Sequence, residues 1–342
     1  MLLKSLAEAS VVYKYTSLIP PFRRLATTAS LWKKKDSIPK KASEPAFQMA
    51  PKPIVGVQAA LKAQSDPGYK VAPQIFKEFS QAGKVAVITG ANGGLGLEMA
   101  LALCEAGGTV YGTDLAETPS DDYLASQNFV KALNNGGALH YIQGEVTVKD
   151  SITGVIDQVV KKEGKINVAI AAAGILGTAT GFDCWDFPEA EFKKIFDVNV
   201  NGVFYTAQAA AKHMVDKKNS GSIILIASMS GTVVNRDERW TAYNASKSAV
   251  LQMTRSMAAE LGPHDVRVNS LSPGHIYTNM TAARLDKEPG TAKRWCSLNP
   301  MGRLGGTHEV RGVVAWLASD ASSFCTGSDI IVSGGHTVCP VL

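Results

Sequence analysis

Tyr243 and Lys247 are two side chains whose types and spacing could perform acid–base chemistry. They lie at i and i+4 in a stretch with helical apolar periodicity, so both fall on one helix face. A free tyrosine has a pKa of about 10 and is a poor acid or base near neutrality. A lysine ammonium beside it favours the phenolate and brings that pKa toward the working range. Because most such pairs only combine packing with a solvated charge, the surrounding motifs must decide between the two interpretations.

A hydroxyl group and a glycine-rich turn precede this pair. Ser228 begins the stretch Ser-Met-Ser-Gly directly after a buried apolar run, which places its hydroxyl where a strand ends. The turn, residues 89–96, reads Thr-Gly-Ala-Asn-Gly-Gly-Leu-Gly and joins an apolar strand to a helix. In such a turn, backbone N–H groups and the helix dipole receive a pyrophosphate, and glycines permit its close approach. The motif is weak by itself, but its context here favours dinucleotide binding.

The strand after this turn ends at Asp114, eighteen residues beyond Gly96. A carboxylate at that position hydrogen-bonds the adenosine ribose hydroxyls and repels a 2′-phosphate. Neither Arg nor Lys occurs in the glycine turn or at the two positions after Asp114. These features favour NAD over NADP as the cofactor. The alternative interpretation is that Asp114 only caps a helix or a turn.

Short β-rich apolar runs alternate with longer helical stretches from about residue 76 onward. The runs predict strands at 85–89, 109–114, 168–172, 222–227, 266–271 and 330–332. Examples of the helical stretches are 94–106, 200–218, 242–261 and 308–317. Continuous apolar strands that alternate with helices predict a parallel sheet covered on both faces. We therefore expect residues 75–342 to form an α/β catalytic domain with one Rossmann-type, doubly wound parallel sheet of about seven strands.

Five ordered motifs resemble those of the classical short-chain dehydrogenases/reductases, and the resemblance extends from about residue 75 to the end. The glycine pattern is carried by Thr89, Gly90, Gly94 and Gly96. The later motifs are Asn-Val-Asn-Gly from Asn199, Ser-Met-Ser-Gly from Ser228, the pair Tyr243 and Lys247, and a strand with a Pro-Gly turn at 267–274.

The resemblance implies a role for each of these positions. Tyr243 would be the general acid/base, Lys247 would lower its pKa and hold the nicotinamide ribose, and Ser228 would orient the substrate oxygen. Asn199 would keep a proton-relay water near Lys247. The implied cofactor contacts, besides Tyr243 and Lys247, are Gly90, Asn92, Gly94, Leu95, Gly96, Asp114, Glu145, Val146, Ala172, Gly174, Ile276 and Thr278.

Three positions depart from the family's pattern. Residues 171–174 read Ala-Ala-Ala-Gly, so an amide side chain that stiffens the central sheet is missing. Ser333 stands where the family usually has Asp, and Glu145 stands where it has Asp beside the adenine. None of these changes touches the catalytic residues, so we expect activity together with lower rigidity of the sheet.

Residues 229–236 and 241–247 resemble those of fungal polyol dehydrogenases, namely arabinitol 2-dehydrogenases and sorbose or mannitol reductases. The implied reaction interconverts a secondary alcohol and a ketone, with a polyol/ketose pair such as D-arabinitol and ribulose. The loop 237–240, Asp-Glu-Arg-Trp, departs from that group; it is expected to border the substrate, unless its charges form a solvated turn. Two alternatives stay open: a carbonyl reductase of fungal secondary metabolism, and a non-catalytic nucleotide-binding scaffold, against which Tyr243 and Lys247 argue.

The formal net charge of +5 arises in the N-terminal region. Residues 1–50 carry a net charge of +6 and residues 51–342 carry −1, so no nucleic-acid partner is expected. No apolar run reaches the roughly 18–20 residues of a membrane helix, so no membrane span is expected. The five cysteines and six histidines lack metal-site spacing, so no metal is expected. His275 either lines the substrate mouth or occupies a loop without a role.

Residues 1–35 have the pattern of a mitochondrial presequence, because one helical face is apolar and Glu8 is the single acid before Asp36. They predict location in the mitochondrial matrix; the alternative is a disordered basic tail on a cytoplasmic enzyme. Residues 36–74 contain several prolines and lysines and are predicted to be a linker. The family resemblance also implies a homotetramer or homodimer built on the helices at 201–218 and 243–261.

Overall fold

The computed structural model describes residues 54–179, 181–288 and 290–338. The predicted presequence and the first part of the predicted linker lie outside these ranges. The chain divides into two units, Met1–Gln58 and Ala59–Leu342, and the site analysed below belongs to the second.

Within the residues that the structure describes, two short helices precede the first strand. Helix α1, Gly56–Ser65, falls inside the predicted linker, in a stretch without proline, and none of its side chains is buried. Helix α2, Ile75–Glu78, follows it.

Seven parallel strands form one sheet in the order β3-β2-β1-β4-β5-β6-β7. Their bounds are β1 Val85–Thr89, β2 Thr109–Asp114, β3 Ala138–Gln143, β4 Val168–Ala171, β5 Gly221–Ile226, β6 Val266–Pro273 and β7 Asp329–Val332. The predicted α/β fold with a single parallel sheet is confirmed, and β1 and β2 have the predicted bounds. The strand order reverses between β1 and β4, and at such a point the carboxyl ends of the strands open a crevice.

Strand β3, which the sequence pattern misses, lies at an edge of the sheet next to β2. It reads Ala-Leu-His-Tyr-Ile-Gln, and Leu139 is its one buried residue. Strand β1, by contrast, is buried at every position because it lies in the middle of the sheet. A rule that looks for continuous apolar runs therefore finds the central strands and overlooks this edge.

Helices cover both faces of the sheet. The cluster on one face combines Val85 and Val87 with apolar side chains of α5 Lys149–Glu163, α7 Val203–Asp216 and α8 Thr241–Leu261. The cluster on the other face combines Ala86 and Ile88 with those of α3 Gly94–Glu105, α4 Asp121–Leu133 and α11 Arg311–Ala318. Successive residues of β1 thus enter opposite cores, which explains its uninterrupted apolar sequence.

The remaining helices refine two of the predicted boundaries. The predicted helix 200–218 begins earlier, as a π-helical turn, Asp197–Gly202, that joins α6 Glu189–Phe196 to α7. The predicted helix 308–317 begins with a 3₁₀ turn, Thr307–Val310. Helices α9, Asn279–Lys287, and α10, Thr291–Ser297, connect β6 to β7. Within the described ranges, no helix is long and apolar enough to cross a membrane.

The side chain of Thr89, at the end of β1, links this strand to the residues after β4. Its Oγ1 accepts hydrogen bonds from the backbone N–H groups of Ala172 and Ala173, over 3.2 and 3.4 Å. Thr89 is buried, so water does not replace these contacts. A side-chain bond between the two strands therefore exists although residues 171–174 lack the expected amide.

Replacing Thr89 by Val should lower the free energy of unfolding by roughly 1–3 kcal/mol, because two backbone N–H groups lose their acceptor. Urea denaturation measures this change. Thr254→Val is the matched control: Thr254 is also buried, but its hydroxyl donates to the carbonyl of Val250 inside α8. That carbonyl keeps its helical hydrogen bond, so the control should lose less stability. Equal losses in the two variants would contradict the linking role of Thr89.

Candidate active site

A cavity of about 550 Å³ opens at the carboxyl ends of the strands. Its walls bring together the glycine turn, the ends of β2, β4 and β5, the start of α8 and the loop after β6. The predicted site residues that line it are Gly90, Gly94, Leu95, Gly96, Asp114, Glu145, Val146, Ala172, Gly174, Ser228, Tyr243, Lys247, Ile276 and Thr278. Asn92 and Asn199 are predicted site residues that do not line it. Motifs that are distant in sequence therefore converge on one cleft.

The glycine turn fits a phosphate group, because its inner surface carries no side chain. Gly94 has a left-handed φ of +54°, and a Cβ added at Gly93 or Gly94 would meet no atom within 4 Å. Gly96 serves packing instead, since a Cβ there would lie 2.1 Å from the carbonyl oxygen of Gly90. Helix α3 begins at Gly94 without an acidic residue in its first turn, so its N-terminus favours an anion. A dinucleotide pyrophosphate fits this turn in space and in charge.

The carboxylate of Asp114 is held in place by two backbone N–H groups. Its Oδ2 accepts from Asn92 over 3.1 Å, and its Oδ1 accepts from Leu115 over 2.8 Å. The side chain of Asn92 is engaged elsewhere: its Oδ1 accepts from the N–H of Ser120 over 2.6 Å. Asn92 therefore fixes the shape of the turn, and its contact with the cofactor stays a prediction.

Glu145 and Val146 form the cavity wall that faces the π-helical turn. The carboxylate of Glu145 accepts a hydrogen bond from the hydroxyl of Thr147, so one of its oxygens is already engaged. Val146 lies so close to Gly202 that a Cβ at Gly202 would be 2.9 Å from its side chain. This contact explains why a glycine ends the Asn-Val-Asn-Gly motif.

Tyr243 and Lys247 lie near the start of α8, on the face that closes the cavity. Lys247 is buried, and its Nζ donates a hydrogen bond to the carbonyl of Ile226, at the end of β5, over 2.9 Å. The same Nζ lies 5.6 Å from the centre of the Tyr243 ring. Ser228, which follows β5, is close enough to the Tyr243 phenol for its hydroxyl to lower the pKa of that phenol. Three of the four predicted catalytic side chains thus meet at one part of the wall.

Asn199, the fourth, lies fully buried in the π-helical turn, behind the catalytic helix. Its Oδ1 accepts from the N–H of Ile175 over 2.8 Å, and its Nδ2 donates to the carbonyl of Ile175 over 2.9 Å. The same Nδ2 donates to Oγ of Ser246 over 3.0 Å, and Ser246 donates to the carbonyl of Tyr243 over 2.7 Å. Asn199 therefore positions α8 against the loop after β4. Its role in a proton relay stays a prediction.

Burial shifts the pKa values of Tyr243 and Lys247 in opposite directions. It raises the pKa of Tyr243, and the hydrogen bond with Ser228 opposes that rise. It lowers the pKa of Lys247 to about 8. Ser228 is the neighbour that lowers the pKa of Tyr243, while Nζ of Lys247 is directed at the Ile226 carbonyl. The lowering of that pKa by Lys247 stays a prediction. A lysine whose pKa is about 8 gains or loses a proton close to neutrality.

Two residues of the loop 237–240 are exposed to solvent and two are buried in the interior. Asp237 and Arg239 are exposed, as a solvated turn requires, whereas Glu238 and Trp240 are buried. None of the four lines the cavity, so the loop supports the wall from behind and does not border the substrate as predicted. Helix α9, which the sequence analysis misses, supplies Met280 and Thr281 to the wall.

His275 is a packing residue behind the cavity and does not line the mouth. Its ring lies 4.2 Å from that of Trp295, 5.2 Å from that of His336 and 6.4 Å from that of Trp240, measured between centres. Burial is the largest cause that lowers the pKa of His275 to about 3, so it is neutral at pH 7. Among the residues that the structure describes, no group of His, Cys, Asp and Glu side chains could hold a metal ion.

Known proteins share this sequence and architecture. A family model described as enoyl-(acyl carrier protein) reductase matches residues 90–337. A sorbose reductase of Candida albicans is 36% identical, over 79% of this chain and 93% of its own. A probable NADP-dependent mannitol dehydrogenase of Yarrowia lipolytica is 38% identical, with the same 79% and 93% covered. The crystal structure of a short-chain dehydrogenase/reductase from Mycobacterium marinum matches with a TM-score of 0.72 and 40% identity, over 78% of this chain and 100% of that chain.

The chain belongs to the short-chain dehydrogenase/reductase family. It is therefore an oxidoreductase, as the order of its motifs predicts. In this short-chain dehydrogenase/reductase, the family's Ser, Tyr and Lys lie together on the cavity wall beside the glycine turn.

Replacing Lys247 by Met should change how stability depends on pH. The folded-state pKa of about 8 lies below the ordinary value of 10.5, so folding costs more when the lysine must stay protonated. This cost is present below about pH 8 and disappears as the pH rises through 10.5. The wild type should therefore gain roughly 3 kcal/mol of unfolding free energy relative to the variant across that window.

Urea denaturation between pH 7 and 10.5 measures this difference. Lys212→Met, at an exposed lysine paired with Asp216, is the control and should show no such trend. The difference in stability between the wild type and the Lys247→Met variant could instead stay constant with pH. That result would show that the charge of Lys247 does not destabilise the folded state.

Proposed function

We propose that this chain interconverts a polyol and a ketose with NAD(H), by hydride transfer at a secondary alcohol carbon. The observation that carries the proposal is the meeting of the Ser228 hydroxyl, the Tyr243 phenol and the buried Lys247 beside a turn that fits a pyrophosphate. The similarity to a sorbose reductase and a mannitol dehydrogenase supports the substrate class. D-arabinitol and ribulose are one such pair.

The residues of the cleft account for the movement of the proton. In oxidation, the phenolate of Tyr243 accepts the proton of the substrate hydroxyl while Ser228 donates a hydrogen bond to the same oxygen. In reduction, the Tyr243 phenol donates that proton to the forming alkoxide. Lys247 places a positive charge within 5.6 Å of the ring centre, which favours the phenolate over the phenol. A bound nicotinamide dinucleotide would accept the hydride in oxidation and supply it in reduction.

The charges along the cavity support a neutral substrate. Among its described lining residues, Lys247 is the one basic side chain, and its Nζ is bonded to the Ile226 carbonyl. An anionic substrate would find no free cation in this described lining. A polyol or ketose carries no charge and needs only hydroxyl and backbone partners.

The same lining supports NAD over NADP. Asp114 presents a fixed carboxylate at the end of β2, and no arginine or lysine lies beside it among the described lining residues. A 2′-phosphate would therefore meet a negative charge without a compensating cation. The mannitol dehydrogenase relative is named as NADP-dependent, so the proposal sets this chain apart from that relative.

We also propose an oligomeric state and a cellular location for this chain. A homotetramer or homodimer is supported by large apolar side chains that stay exposed on α6 and α7, Phe192 and Phe204. Location in the mitochondrial matrix is supported by the acid-poor, amphipathic pattern of residues 1–35.

Replacing Tyr243 by Phe should lower kcat for ketose reduction by about 10²–10⁴-fold, because the general acid is removed while the ring is kept. Reduction of a panel of ketopentoses and ketohexoses, followed by NADH absorbance, measures the loss. NADH binding, measured by fluorescence titration, should persist. Tyr205→Phe, on α7 and outside the cavity lining, is the control. Turnover that survives in the Tyr243 variant would refute the proposed mechanism.

Replacing Asp114 by Ser should shift the ratio of kcat/KM with NADH to kcat/KM with NADPH toward NADPH by at least about tenfold. The variant loses both a charged hydrogen-bond acceptor for ribose and a repulsion against phosphate. Glu117→Gln, an exposed acid that follows β2 without lining the cavity, controls for the loss of one charge. A wild type that prefers NADPH would overturn the cofactor assignment.

A further inference from the structure

A buried carboxylate, that of Glu238, joins two separate parts of the chain near the cavity. Its side chain is only 2% exposed. Oε2 lies 2.8 Å from Nη2 of Arg284, and Oε1 lies 3.1 Å from Nη2 of Arg294. The indole Nε1–H of Trp295 donates to Oε1 over 2.9 Å. Glu238 thus satisfies donors from α9 and from α10 with one carboxylate.

Two indole rings enclose the same group of charges. The guanidinium carbon of Arg284 lies 5.4 Å from the centre of the Trp240 ring and 5.5 Å from that of Trp295. The two rings are in edge contact, with centres 6.3 Å apart. We call Glu238, Trp240, Arg284, Arg294 and Trp295 the Glu238 cluster.

The Glu238 cluster connects two segments that lie next to lining residues of the cavity. Trp240 immediately precedes α8, and its ring centre lies 6.1 Å from that of Tyr243. Arg284 belongs to α9, whose first turn supplies Met280 and Thr281 to the cavity wall. A shift of α9 relative to Trp240 would therefore move the part of the cavity wall that Met280 and Thr281 form.

Helix α10 is attached to the rest of the described structure largely through Trp295, which also packs against His275. Its buried residues are Thr291 and Trp295, and Trp295 belongs to the Glu238 cluster. The second carboxylate on Arg284, that of Glu288, lies 3.1 Å from Nε but is half exposed. Water can replace an exposed partner, whereas a buried charge that loses its partner is left uncompensated. The attachment of α9 and α10 thus depends on Glu238 far more than on Glu288.

From this geometry we infer that Glu238 is a positioning residue for the substrate. It holds α9 and α10 against Trp240 and so fixes the wall formed by Met280 and Thr281 at the mouth of the cavity. Glu238 itself touches neither the cavity nor the reacting atoms. The inference rests on the proposed function for the identity of the substrate, but not for the attachment of the two helices.

The test is Glu238→Gln, because the amide keeps the shape and can still accept the Trp295 bond while the charge is lost. Trypsin cleavage after Arg284, Lys287 and Arg294, identified by mass spectrometry, should become at least about tenfold faster as the helices detach. KM for the ketose should rise by at least about tenfold, with kcat and KM for NADH changed by less than about threefold. Glu288→Gln removes the exposed partner of the same arginine and should leave every value close to wild type.

The cleavage rates test the attachment of the helices, and the KM for the ketose tests their effect on the substrate, so the two measurements distinguish this inference from the proposed function. Unchanged cleavage in Glu238→Gln, or faster cleavage with an unchanged KM for ketose, would overturn the positioning role. A wild type that reduces no ketose refutes the proposed function, and the cleavage rates then decide the attachment on their own. If Glu238→Gln does not fold, Arg294→Gln removes one of the two ion pairs at a partly exposed side chain. It is compared by cleavage after Arg284 and Lys287 and by KM for the ketose.

Discussion

The hydrogen bond from the buried ammonium of Lys247 to the carbonyl of Ile226 is the contact on which the geometry of the cleft depends. It ties the catalytic helix α8 to the end of β5, the strand that leads into Ser228. A buried ammonium needs its acceptor, so α8 cannot rotate without a large cost in free energy. Tyr243, one turn earlier on that helix, is consequently held where it meets Ser228. Burial lowers the pKa of Lys247 to about 8, and so the same contact provides a group that titrates near neutrality.

The sheet was largely predictable, because its central strands are buried on both faces and must be apolar throughout. Strands β1 and β2 have their predicted bounds. The edge strand β3 was not predicted, because it contains polar residues such as His140 and Gln143. The π-helical turn at 197–202 was not predicted either, since the spacing of apolar residues does not reveal a local change in helix winding. Helices α9 and α10 are short and only partly buried, and such segments give a weak periodic signal.

The site was predictable where its residues belong to contiguous motifs and unpredictable where they depend on tertiary contacts. The glycine turn, Ser228, Tyr243 and Lys247 converge on one cavity as the motifs indicate. Sequence alone could not show that Glu238 is buried between its exposed neighbours, because its partners on α9 and α10 lie far along the chain. It could likewise not show that the hydroxyl of Thr89 links β1 to Ala172 and Ala173, since that bond crosses from β1 to the residues after β4.

The central claim is that this cleft performs direct hydride transfer to the carbonyl carbon of a ketose. The most direct measurement uses NADH that carries deuterium at both C4 positions, the purified full chain and a ketose, with the polyol product analysed by mass spectrometry. The account predicts one deuterium in the product, bound to the carbon that was the carbonyl carbon and retained on exchange into ordinary water. A polyol without carbon-bound deuterium, or no polyol from any ketose tested, would contradict it.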